Sequence, residues 1–127
     1  MDHKFNFNGK NVTLTGEDID DIMCSALEGG VSYWCSKAVI VGSYKGDYAS
    51  EQISRGGSLH LYDIEDNKTP FELDLEAFLK GFQLWLGNGG DIYGAVQEDG
   101  TVDCGMIDGP AADSIVQYAL FGQLVYG

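Results

Sequence analysis

The groups in this chain able to do chemistry are few: three cysteines, two histidines, one arginine beside a glycine pair, and one dense run of carboxylates. Cys24, Cys35 and Cys104 supply the thiols, and His3 and His60 are the only imidazoles. A thiol becomes a nucleophile when a neighbouring base or positive charge favours the thiolate. His3 belongs to a polar N-terminal stretch, and His60 is expected on the outer face of a strand. Neither is placed by the sequence next to a thiol. The cysteine spacings match no compact zinc knuckle, and an odd count leaves at least one thiol unpaired. Buried free thiols are the expectation, with a single Cys24–Cys35 disulfide as the alternative. No P-loop, HExxH, GxSxG or dinucleotide-binding glycine pattern occurs. No cofactor or metal is expected, and an enzyme is the less favoured reading.

The carboxylate run is Glu17, Asp18, Asp20 and Asp21, within the sequence EDIDD. On a helix Glu17 and Asp21 lie four residues apart and Asp18 and Asp21 three apart, so they share a side and repel by a few tenths of a kcal/mol per pair. The plain reading is a solvated helix start. The functional reading is an acidic docking patch for a basic partner. The run lacks the alternating acidic loop that wraps a calcium ion. Three further residues join it as candidate partner contacts. Trp34 follows a glycine pair and is either core or part of an aromatic rim. Tyr48 and Arg55 lie in the polar loop Tyr44–Gly57, where Arg55 precedes Gly56–Gly57 and offers an anion its rigid donor fork. The plain reading of Arg55 is pairing with a local carboxylate.

Elements must position these groups, and the hydrophobic periodicity outlines them. Thr15 and Asp18 form a near capping box, and Ile19, Ile22, Met23, Ala26 and Leu27 recur with helical period, giving a helix over about 16–28 ended by Gly29–Gly30. Lys10–Leu14 and Ala38–Val41 read as strands, and Ser58–Asp63 alternates as a half-buried strand. A short strand is expected at Phe71–Leu73. Asp74 caps a second helix with the stripe Leu75, Phe78, Leu79, Phe82 and Leu86, and Trp85 on its flank. Ile92–Val96 and Thr101–Ile107 flank the turn sequence QEDG and read as a hairpin. Asp108 and Pro110 start a third helix, and QLVYG closes the chain as a final short strand. The fold class expected is α+β: an antiparallel sheet of four to five short strands covered by about three helices, forming a single compact domain over 1–127.

Charge bounds the partners. Among 127 residues there are 20 Asp plus Glu against 7 Lys plus Arg, a formal net charge of -13, with 44% hydrophobic residues. From Gly81 to Gly127 there is no Lys or Arg, while Asp91, Glu98, Asp99, Asp103, Asp108 and Asp113 all fall there. Binding to phosphate backbones draws on Lys and Arg, and the seven here are spread singly. No direct nucleic acid binding and no membrane association are expected. The N-terminus has no apolar run, and a cytoplasmic location is the expectation.

In EDIDDIMCSALEGGVSYWC, ISRGGSLHLYD and ADSIVQYALFG the chain resembles small acidic proteins of unknown function encoded by phages and mobile elements of Gram-positive bacteria. The resemblance spans about Val12 to Gly127. It implies an accessory role and carries no known chemistry. The function expected is an uncharacterised accessory protein that binds a basic host or phage protein through an acidic surface. The alternative is a small ligand-binding domain or enzyme with a pocket near the 43–57 loop. Self-association through the apolar C-terminal segment is a further expectation.

Overall fold

The computed structural model describes residues 1–127. The chain runs β1 (Asp2–Phe7), β2 (Lys10–Thr15), α1 (Gly16–Ser25), β3 (Cys35–Val41), β4 (Ser58–Asp63), β5 (Asp66–Leu73), α2 (Leu75–Gly87) and α3 (Gly109–Phe121). The class is α+β, but the five strands form two antiparallel sheets rather than one: β1–β2, and β3–β4–β5. No helix is long and apolar enough to cross a membrane.

The first hairpin adds a strand that the sequence reading left as a polar start. Asn8 and Gly9 both have positive φ, 49° and 85°, as a two-residue hairpin turn with the twist of its strands requires. Pairing of Phe5 with Val12 and His3 with Leu14 turns alternate side chains inward, and Phe5 meets the edge of Phe82 of α2 with ring centroids 6.1 Å apart.

In the second sheet, Leu59 and Leu61 of β4 are fully buried between Ile40 and Ala38 of β3 and Leu73 and Phe71 of β5. The opposite face carries Val39, His60 and Glu72 in one row across the strands, with the His60 Nε2 3.1 Å from Glu72. The helices cover the apolar side. Asp74 caps α2 through Ala77 N–H, and Asp108 caps α3 through Ala111 N–H. The two helices lie close because Gly81 faces Ala119: a Cβ on Gly81 would sit 2.5 Å from the Ala119 backbone nitrogen. Trp85, expected on the flank of α2, is instead buried against Phe82 with ring centroids 5.5 Å apart.

Helix α1 ends at Ser25 and widens into a π-helical turn over Ala26–Gly30, with Val31 N–H reaching Ala26 O. Gly29–Gly30 do end the helical run, but not through a left-handed cap, since neither has positive φ. Gly30 is required by contact: a Cβ there would lie 2.5 Å from Gly109 O at the start of α3.

Two expected strand regions take other forms. Between Ile92 and Ile107 the only bridge is Val96 with Val102. Carboxylates take the N–H groups a ladder would use: Asp91 accepts from Ala95 and Val96, Asp99 from Thr101, and Asp103 from Gly105. Such local side-chain bonds compete directly with sheet pairing. The terminal QLVYG is likewise no strand. The Gln117 carboxamide oxygen accepts from both Val125 and Tyr126 N–H, and Tyr126 stacks on Trp34 with centroids 4.6 Å apart.

Candidate interaction surface

The acids at the start of α1 divide by role. Asp18 completes the capping box: Thr15 Oγ1 accepts from Asp18 N–H, and Asp18 Oδ2 accepts from Thr15 N–H at 2.9 Å. Glu17 and Asp21 are exposed and have no ion-pair partner. Asp20 turns toward the 43–57 loop, accepting from the Ser54 hydroxyl at 2.5 Å and lying 3.9 Å from the Arg55 guanidinium. Arg55 also lies 3.7 Å from Glu51. The arginine therefore already faces two carboxylates, and the plain reading of it describes its surroundings.

The loop is tied to itself rather than free to swing. Gln52, fully buried, donates to Ser43 O and accepts from Lys45 N–H. Glu51 accepts from Asp47 and Tyr48 N–H, which holds its carboxyl below the usual range, with Arg55 adding a smaller pull. Tyr48 is held 71% exposed beside these acids. A shallow cleft of about 330 Å³ lies next to it, lined by Cys24, Leu27, Glu28, Tyr48, Ala49 and Ser50. Arg55 is not part of its lining. Of the sequence-nominated residues, Asp20 and Arg55 lie together at this loop, while Asp18 lies against Cys104.

Trp34 does not join them. It is 3% exposed, in the core between Tyr126, Phe71 and Phe121, and its Nε1 donates to Asp113 at 2.8 Å. An indole so enclosed offers no contact to a partner. Beside it lies a structural centre that sequence reasoning missed. The buried Asp113 carboxylate accepts from Trp34, from the Tyr33 hydroxyl at 2.7 Å and from Gln117. Partial burial and the Asp113 charge push the Tyr33 phenol up to about 12. The Tyr126 hydroxyl donates to Asp63; partial burial and that carboxylate push the phenol up to about 12, while the bonds from Tyr126 and Glu65 N–H hold Asp63 below its ordinary range.

The thiols are free and muted. Burial raises the Cys35 thiol. Burial and the Asp18 carboxylate push Cys104 up to about 12. A hydrogen bond to Glu28 raises Cys24. All three shifts favour the unreactive thiol at neutral pH. No three His, Cys, Asp or Glu side chains are arranged to hold a metal ion.

Across the whole surface, Asp20, Glu51 and Glu72 are the only acids within 4 Å of a cationic or imidazole nitrogen. Capping and turn bonds occupy many others, yet a carboxylate that accepts N–H bonds keeps its charge; Asp99, bonded to Thr101, is held below the ordinary range. The segment Gly29–Gly46, which includes β3, has no carboxylate and carries Lys37 and Lys45. Sequence reasoning also missed the outward placement of Ile92 and Tyr93, 75% and 60% exposed, having assigned them to a strand. The flanking Gly90 and Gly94 and the Asp91 side chain were the available signal.

No family model matches the chain, and no curated protein or solved structure matches it either.

Proposed function

We propose that this chain is an accessory protein that binds a basic protein of a host or phage through its acidic surface. The observation that carries the reading is uncompensated charge on a folded scaffold: a net charge of -13, with three acids in ion-pair reach of a cation or imidazole. A surface of this kind attracts basic partners over several ångströms, speeds their encounter and disfavours acidic competitors. The exposed acids Glu17 and Asp21, with Tyr48 beside the same loop, are natural first contacts. The phage and mobile-element resemblance of the sequence fits a small accessory binder whose partner is a nucleic-acid-binding protein.

The test is affinity capture from a bacterial lysate at low and high salt, followed by measurement of the charge of what is retained. Retention of basic proteins at low salt, lost at high salt, is the expected result. Capture indifferent to salt, or dominated by acidic proteins, would contradict the reading.

A further inference from the structure

The geometry points to a groove between the C-terminal end of α2 and the start of α3 as a docking site for a basic segment that carries an apolar anchor residue. This inference rests on the acidic-surface reading and assigns it a place and a partner chemistry.

The groove encloses about 360 Å³, with Trp85 at its base and Ile92, Tyr93, Pro110, Tyr118 and Leu124 along its sides. Ile92, Tyr93 and Leu124 are 75%, 60% and 53% exposed. Leaving such side chains in water forgoes burial energy. Here both walls are nonetheless fixed outward. Asp91 accepts from Ala95 and Val96 N–H and so closes the turn that presents Ile92 and Tyr93. Gly90 lies against the Trp85 indole with no room for a side chain, and Gly94 has φ of 75°. On the other wall, Gln117 holds the backbone of Val125 and Tyr126 and thereby places Leu124. An exposed tyrosine and two exposed aliphatic side chains held in place can anchor a partner, and pre-organisation lowers the entropic cost of docking.

Charge complementarity identifies the occupant. Asp108 is the one charged residue in the lining. No Lys or Arg occurs between Gly81 and Gly127. An apolar slot whose one charged lining group is a carboxylate, with no cation among its lining residues, suits an apolar or aromatic side chain flanked by Lys or Arg, and repels an acidic segment by like charge.

Fluorescence anisotropy with three labelled peptides tests this: an amphipathic Lys–Leu peptide, a Lys–Ser peptide of equal charge, and a Glu–Leu peptide. The chain is expected to bind Lys–Leu in preference to both others. Ile92→Ser with Tyr93→Ser, and separately Leu124→Ser, should each weaken it by about tenfold or more. These side chains are exposed, so circular dichroism should report an unchanged fold. Glu65→Gln with Glu76→Gln, exposed acids outside the groove lining, should leave Lys–Leu binding within about threefold of wild type. Groove variants that bind like wild type, or Glu–Leu binding equal to Lys–Leu, would overturn the groove. Equal binding of Lys–Ser and Lys–Leu, weakened by Glu17→Gln with Asp21→Gln, would overturn the groove while upholding the acidic-surface reading. Failure of both basic peptides to bind would contradict the two together.

Discussion

Asp113 shows how a single acid can be structural inside a chain whose other acids face water. Its carboxylate is buried, yet three donors from Tyr33, Trp34 and Gln117 reach it, and buried charge is tolerable only when so satisfied. Gln117 is the pivot, because its carboxamide also accepts from the backbone of the terminal segment. Replacing Gln117→Ala strips a donor from Asp113 and leaves two N–H groups unpaired. A loss of about 2–4 kcal/mol in urea unfolding is expected; a loss under about 0.5 kcal/mol would show that water replaces these bonds without cost. None of this centre was legible from spacing. Asp113 sits 80 residues from Tyr33, and only packing of α3 against the turn before β3 brings them together. Trp34 was ambiguous between rim and core for the same reason.

Among the elements, those with strong local signals were readable. The capping box of α1, the Asp caps of α2 and α3 and the alternation of β4 all follow from short-range chemistry. The elements misread were those in which side chains replace backbone partners. Asp91, Asp99 and Asp103 draw N–H groups away from a ladder between Ile92 and Ile107, and Gln117 does so at the terminus. In β1 the alternating His3, Phe5 and Phe7 before Asn8–Gly9 was a hairpin signal masked by polar neighbours. Two predictions belong here. Gly81→Ala should cost about 1–3 kcal/mol in chemical denaturation by forcing α2 from α3, since the new Cβ meets backbone rather than a movable side chain. The terminal clamp should also be sensitive to alkali. Tyr33 and Tyr126 ionise near 12 in the folded chain against about 10 unfolded. A folded pKa above the unfolded one gives stability that is fully present below about pH 10 and lost as pH rises through about 12. Thermal melts across that window should fall steadily, and less so for Tyr126→Phe.

At the scale of the whole molecule, a net charge of -13 works against the compact state and, on the proposed reading, in favour of a basic partner. Cores from both sheets and all three helices join into one cluster, which supplies the stability that self-repulsion reduces. Screening should relieve that repulsion. Adding salt to about 0.15 M shortens the Debye length to about 8 Å, and the thermal midpoint is expected to rise; a midpoint that falls would mean attractive pairs dominate. Binding should respond in the opposite sense, because the same screening weakens attraction to a basic protein. That opposition separates a charge-driven binder from a protein whose acids serve solubility alone. The most direct measurement is the dissociation constant of the chain with the basic protein it retains from lysate, taken across a salt series. The account predicts affinity that falls continuously as salt rises, while the fold becomes more stable over the same range. Affinity that stays constant with salt, or the retention of no basic protein at low salt, would contradict it.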